Sequence, residues 1–523
     1  MPFTRYRDVV PDWAGFQEAI GTPEPVTLRV RTGLVSPDRL IPRLEGQGFQ
    51  LSEVTGASGF WRVDRGPGSV AQTLEHWLGL FHVQQAVMGL PTLALAPLAG
   101  ERVLDLCAAP GGKTAHIAEL MGDRGPLVAV DRKEKRLRGL LGNLYRLGHP
   151  NVLVIAADGR QLPGGAMFDR ILVDAPCSAE GTSRRQGGRI PRRDAGFVAY
   201  VTSVQEALLR RAVDLLRPGG VLVYSTCTFA PEENEAVVSR VLSDTPLEVE
   251  PIPLQAPHSP GLADWEGTSF DPSLARAWRV YPHQMNSGGL FMVRLRKPTG
   301  ANEPDAGWSP VPEAFPGEDT AAAHLRITTA QIELEEWFDM PHDLLASLDW
   351  MVRGKNVWAH TAERWPVAAW GRDPAATRWR VVSLGIRALK QRREGMETPS
   401  NHFLARWGKE LGGDRQVELT RDQLRTLLLD LHIPSAELPV GPVALLWEGM
   451  VLGRGMVGVG GLRHEIPGAS AARLSTLLGV RTEGDEGGDG PLVGGDLDSK
   501  VRTPISPHGS GHVGADPATG GTE

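Results

Sequence analysis

Apolar and polar positions follow two rhythms along this chain, and the rhythm changes near residue 101. Before it, SPDRLIPRLEGQGF spaces Leu40, Leu44 and Phe49 as on a helix, and LEHWLGLFHVQQAVMGLPTLAL, from Leu74, predicts a helix-rich lead-in. From Glu101 short β-rich runs alternate with helical patterns. RVLDLCA (102–108), LVAVD (127–131), NVLVIAAD (151–158), RILVDAP (170–176) and GVLVYSTC (220–227) predict strands. Helices are expected over KTAHIAELMG, over KEKRLRGLLGNLYRLG and roughly from Tyr200 to Leu216, with GLFMVRLRK (289–297) as a closing strand. Strands that alternate with helices imply a parallel sheet covered on both faces, a Rossmann-like α/β core.

The flanks differ. KPTGANEPDAGWSPVPEAFPG (297–317) is rich in Pro and Gly and reads as a linker or insertion. GPVALLWEGMVLGRGMVGVGGLRHEIP has β-like runs broken by glycines, as in a small barrel. The expected division is an N-terminal α+β extension over 1–80, the core over 81–298, a linker over 299–324, an α+β region over 325–475 and a disordered tail over 476–523. A chain of 523 residues is long enough for several such units.

Charge and cysteine content narrow the partners. A net charge of −7 speaks weakly against nucleic acid. From Arg481 to Glu523, however, there are three basic and eight acidic residues, so the tail carries most of the excess and local basic patches decide. Three cysteines without a Cys-x-x-Cys pair argue against a disulfide scaffold and against zinc, so no metal is expected. The N-terminus lacks a signal-peptide apolar run and no stretch is long enough to span a membrane; free thiols in a cytoplasmic setting are expected.

The segment DLCAAPGGKT (105–114) joins a strand to a helix through small residues, where backbone and helix N-terminus can face a ligand. A phosphate-binding P-loop would need glycine where Cys107 stands, and the dinucleotide pattern Gly-x-Gly-x-x-Gly is absent. A loop facing the methionine part of S-adenosylmethionine fits better. Asp131, ending the second strand, could hydrogen-bond ribose hydroxyls or serve the next helix as a cap. Asp158, ending the third, could meet an adenine amino group or be a plain loop carboxylate. DAPCSAEGT (174–182) and STCTF (225–229) end the fourth and fifth strands, so all three cysteines fall at the carboxyl edge of the sheet, where open α/β folds bind ligands.

DLCAAPGGKT, DAPCSAEGT and STCTF together closely resemble the RsmB/RsmF (Sun-type) RNA cytosine-C5 methyltransferases, and GLFHVQQAVMGLP and RVYPHQMNSGGLFMVRLRK extend the resemblance over about 75–300. The flanks look more like the RsmF branch, with an N-terminal extension and a C-terminal PUA-like RNA-binding region. The resemblance implies methylation of carbon 5 of cytosine in RNA, most of all small-subunit ribosomal RNA; a transfer-RNA enzyme and a non-catalytic ribosome assembly factor are the alternatives. It implies Cys227 as nucleophile, Cys177 as helper in release, Asp174 against the cytosine ring and Lys113 between cofactor loop and active site. Cys107, Ala108, Ala109, Pro110, Gly111, Gly112, Lys113, Asp131, Arg136, Asp158 and Asp174 would hold S-adenosylmethionine. Cys107 stands where small residues such as alanine are common in the family.

A thiolate that adds to carbon 6 makes carbon 5 nucleophilic, and the ring nitrogen then needs a proton, so Asp174 is expected to have a raised pKa. SRRQGGRIPRRD sets Arg184, Arg185, Arg189, Arg192 and Arg193 on a loop suited to phosphate, whereas RKEKRLR (132–138) is equally an exposed helix face. Arg387, Lys390, Arg392 and Arg393 give the C-terminal region a basic cluster.

Overall fold

Five parallel strands form the centre of a ten-stranded sheet, in the spatial order Leu216–Thr226, Phe168–Asp174, Val103–Asp105, Leu127–Asp131 and Val152–Ala156. The computed structural model describes residues 3–186, 194–300, 308–315, 317–366, 380–391, 397–435 and 437–480. Arg189, Arg192, Arg193, Arg392, Arg393 and the tail beyond Val480 lie outside the described residues.

Alternation along each strand sorts residues to two cores. Val103, Leu127 and Ala129 face the helices Gly112–Leu120 and Glu134–Leu147, through Ala115, Ile117, Leu140 and Leu144. Leu104, Val128, Val130 and Ile171 face the helices Ala195–Leu215 and Glu235–Leu242, through Leu208, Leu209, Val237 and Val238. Strand order reverses at Val103–Asp105, where connections leave to opposite faces and a crevice opens at the carboxyl ends. The predicted closing strand, Leu290–Arg296, lies antiparallel beside Leu216–Thr226.

The N-terminal sheet has the order Gln50–Glu53, Phe60–Arg65, Thr27–Val30 and Phe81–Val83. The helix Pro37–Glu45 buries Leu40 and Leu44 against it, and Phe49 joins the same core from beyond the helix end. The lead-in is less helical than its apolar pattern: a short helix Leu74–Trp77 and the helix Ala86–Leu95 flank the strand Phe81–Val83. Gly79 breaks the run with φ +72°, and a Cβ there would stand 2.6 Å from the Arg146 carbonyl oxygen.

The C-terminal region adds two four-stranded sheets instead of one small barrel. One contains Asp349–Arg353, Asn356–His360, Ile386–Gln391 and Glu397–Pro399; the other Gln416–Glu418, Gly441–Trp447, Met450–Gly458 and Gly461–His464. They share a core through Trp350, Val357, Phe403, Ala444 and Leu446. The strand Arg380–Leu384 leaves this region and pairs antiparallel with Val152–Ala156, completing the far edge of the central sheet. Within the expected linker, Trp308 is buried, its indole N–H donates to the Met167 carbonyl at 3.1 Å, and the helix Thr320–Phe338 has already begun. Tyr145 bonds to Ser383 at 3.0 Å and stacks on His402, so flank and core interlock. Among the described residues no helix is long and apolar enough to cross a membrane, and no group of three His, Cys, Asp or Glu side chains could hold a metal ion.

Candidate active site

After Asp105 the chain turns through small residues and enters the helix Gly112–Leu120. Gly111 has φ +98°, and a Cβ there would approach Leu140 Cα at 3.0 Å, so the turn requires glycine. The Ala109 N–H donates to Asp131 Oδ2 at 3.2 Å, and the Lys133 N–H donates to Asp131 Oδ1 at 2.8 Å. Asp131 thus ties the loop to the neighbouring strand end; the cap position of the next helix is Lys133. The Arg136 guanidinium donates to the Ala109 carbonyl and stands 3.3 Å from Asp131 Oδ2. Asp158 accepts from Arg160, from its N–H at 3.1 Å, Nε at 3.0 Å and Nη2 at 2.6 Å, and these hydrogen bonds hold its carboxyl below the usual range.

The Pro-Cys and Thr-Cys turns leave adjacent parallel strands, with Asp174 in register with Ser225. Parallel pairing therefore brings Cys177 Sγ to 3.3 Å from Cys227 Sγ. Lys113 Nζ reaches across from the cofactor-type loop to Asp174 Oδ2 at 2.7 Å, and Ser225 Oγ donates to Asp174 Oδ1 at 2.9 Å. Burial disfavours the Lys113 charge, but Asp174, its hydrogen bond, Cys227 and Asp105 outweigh it and the Lys113 pKa is raised. Both partners of Asp174 donate to it, so the proton expected on Asp174 stands on Lys113. The Cys177 thiol is pushed up by its hydrogen bond with Cys227 and by burial. Cys107 is pushed up by burial and by Asp105, and packs beside the apolar core, the packing role its sequence position allowed.

Arg184 departs from expectation. It is 6% exposed, and its guanidinium donates to the carbonyls of Thr22, Pro23 and Ser287, the Thr22 hydroxyl and the Asn286 side-chain oxygen, at 2.9–3.1 Å. It fastens the Pro-Cys loop to its neighbours and is not presented to phosphate. Arg185 is exposed. Arg387 is half-buried and Lys390 exposed in the C-terminal sheet.

Three carboxylates escaped the motif reading. Asp105 is buried, with its pKa raised to about 7 chiefly by burial; Oδ2 accepts from Thr114 Oγ1 at 2.7 Å while Oδ1 has no hydrogen-bond partner. Glu233 accepts from the Ser178 N–H at 2.9 Å and from Gln205 Nε2 at 3.0 Å. Glu180 accepts from the Tyr6 hydroxyl at 2.7 Å and Thr228 Oγ1 at 3.0 Å. An acid inside the otherwise uncharged SAEGT turn was a signal for Glu180; nothing in the sequence pointed to Tyr6.

Residues 92–296 match the model of the family described as 16S rRNA methyltransferase RsmB/F. The chain is 30% identical over 465 residues to the ribosomal RNA small subunit methyltransferase F of Photobacterium profundum, covering 86% of this chain and 92% of that protein. It is 36% identical over 291 residues to the 28S rRNA (cytosine-C(5))-methyltransferase of Mus musculus, covering 54% of this chain and 36% of the mouse protein, so it spans about a third of that relative's length. Among solved structures, the protein named PH0851 is 29% identical with a TM-score of 0.51, over 56% of this chain and 64% of that one. Similarity to the Photobacterium protein along almost its whole length, together with the family match across the core, shows that this chain belongs to the RsmB/F family of 16S rRNA methyltransferases.

Proposed function

We propose that this protein methylates carbon 5 of cytosine in RNA, with S-adenosylmethionine as methyl donor and small-subunit ribosomal RNA as substrate. The observation that carries the reading is the meeting of Cys227 and Cys177, 3.3 Å apart, with the Lys113–Asp174 pair at the carboxyl edge of the sheet. The same residues on a bare RNA-binding assembly factor would have no use.

The residues present fit the cofactor. The loop 107–113 is closed by a glycine that no larger residue could replace, and Asp105 Oδ1 stands buried and unpartnered at its foot. Asp131 and Asp158 end the next two strands, where ribose and adenine would lie; Arg136 flanks the loop and would have to release the Ala109 carbonyl or stay beside the ligand. When bound, S-adenosylmethionine supplies an electrophilic methyl group.

Cys227, as thiolate, adds to carbon 6 of a cytosine that has left its stack. Electron density then moves to N3, where the Lys113 proton, held through Asp174, stabilises it. Carbon 5 gains the methyl group and then loses its proton, and the electron pair of that bond restores the ring double bond as Cys227 leaves. Cys177, kept as a thiol by burial and its contact with Cys227, is placed to assist that departure. Arg185, Lys390 and the C-terminal sheets, read as a PUA-like region, would contact the RNA backbone.

Incubation with labelled methyl donor and three substrates, naked 16S rRNA, assembled 30S subunits and bulk tRNA, tests the reading, with bisulfite sequencing to place the mark. Methylation of either ribosomal substrate, absent with Cys227→Ala, is expected. Label only in tRNA would move the substrate to the alternative, and no label in any RNA would overturn the reading.

A further inference from the structure

The two cysteine turns are stitched together by bonds that touch neither sulfur. The Gly181 N–H donates to the carbonyl of Cys227 at 2.9 Å, and the hydroxyls of Ser178 and Thr228 lie 2.7 Å apart. Glu180, three residues beyond Cys177, reaches over to the other turn, where its Oε2 accepts from Thr228 Oγ1 at 3.0 Å and from the Phe229 N–H at 3.3 Å. The same oxygen accepts from the Tyr6 hydroxyl at 2.7 Å. Tyr6 and Glu180 are 1% and 3% exposed, so no water competes for these bonds.

Tyr6 comes from the opposite end of the sequence. It is held there by an aromatic cluster of Phe3, Tyr6 and Phe16 against Phe229 and Tyr281, with ring centroids 5.4–6.3 Å apart. Phe229 closes the STCTF motif, so the N-terminal segment packs directly on the turn that carries Cys227. A buried carboxylate is costly without donors, and the phenol is one of those it receives from outside its own turn.

We infer that Tyr6, acting through Glu180, is a positioning residue that fixes Cys177 against Cys227. The asymmetry of the two turns says which thiol depends on it. Cys227 follows an eleven-residue strand, and its neighbour Thr226 bonds to Asn234 at 2.5 Å. Cys177 sits in a loop outside the strand Phe168–Asp174, and Glu180 is its bridge to the other turn. Loosening Glu180 displaces Cys177 and leaves Cys227 in place. Given the proposed chemistry, on which the RNA arm of the test rests, attack continues and release suffers.

Tyr6→Phe keeps the ring and removes one hydrogen bond; Glu180→Gln keeps the shape and removes the charge. Two measurements on the full-length chain separate this inference from the functional proposal. The first needs no RNA: dibromobimane joins two adjacent thiols, and peptide mapping gives the rate at which a Cys177–Cys227 bridge forms. The second follows the decay of the covalent enzyme–RNA adduct on denaturing gels after a chase with unlabelled RNA. Both variants should bridge several-fold more slowly and keep the adduct longer, by up to about tenfold for one lost hydrogen bond to a charged group, while adduct formation changes less. Variants that melt at lower temperature yet bridge and release at the wild-type rate would overturn the inference, because Tyr6 would then only support the fold. If the wild-type chain forms no adduct on any RNA, the functional proposal fails, and the bridging rates alone decide the role of Tyr6.

Discussion

Replacing Arg184 by alanine separates a scaffold role from a phosphate role. The guanidinium supplies five hydrogen bonds, three of them to backbone carbonyls in two separate segments, around Thr22 and around Ser287. Hydrogen bonds from a charged donor contribute about 1.5–3 kcal/mol each, and they overlap within one side chain, so the loss should be about 3 kcal/mol and not the sum. At about 2–4 °C per kcal/mol for a domain the size of the core, the melting temperature should fall by about 6–12 °C. Thermal unfolding followed by circular dichroism measures this, with filter binding to 16S rRNA at several salt concentrations as the second axis. A phosphate contact would leave the melting temperature alone and reduce the salt slope by about 0.7–0.9. That pair of results would refute the structural assignment. A large fall in melting temperature with an unchanged slope, measured well below the transition, supports it.

Cys227→Ala should abolish both methyl transfer and the covalent adduct, whereas Cys177→Ala should trap enzyme on RNA; reversed behaviour on denaturing gels would exchange their roles. Asp174→Asn should lower the single-turnover rate by about 10²–10⁴, with a near-normal rate removing it from the mechanism. Asp131→Ala should weaken S-adenosylmethionine in calorimetric titration and leave RNA affinity nearly intact; unchanged cofactor binding would confine Asp131 to bracing the loop through the Ala109 N–H. Burial raises the Asp105 pKa to about 7 in the folded chain. Between about pH 4 and pH 7 the unfolded chain has therefore lost this proton and the folded chain has kept it, so stability falls as pH rises through that window and levels off above it. Asp105→Asn should flatten this part of the profile in urea titrations, and an unaltered profile would count against a protonated Asp105.

The parts of this molecule that were legible in the sequence are those written in local patterns. Apolar runs such as LVAVD and NVLVIAAD are strands because both faces of the central sheet are covered, and the turn motifs at their ends placed the two reactive cysteines at one edge. Tertiary pairing was not legible. Phe81–Val83 sits in an apolar run that reads as helix, and only its partner Thr27–Val30 makes it a strand. Arg184 looked like its loop neighbours by residue type, and only the carbonyls gathered around it reveal its use. The proton between Lys113 and Asp174 likewise depends on a 2.7 Å contact across 61 residues of sequence.

The strand Arg380–Leu384 gives the chain a problem of timing. It covers the Val152–Ala156 edge of the catalytic sheet, yet it is made long after that edge. At about 5–20 residues per second, the interval between the two strands leaves the ribosome with an unpaired apolar edge for roughly ten seconds to three-quarters of a minute. An open edge of this kind, rich in Val, Leu and Ile, is a template for pairing with another chain. Nascent chains halted before Arg380 should therefore be the sticky ones, and a catalytic core shortened at Lys297 for convenience would carry that stickiness permanently. The C-terminal region has a second task besides meeting RNA: it serves as the last stave of the sheet on which the chemistry rests.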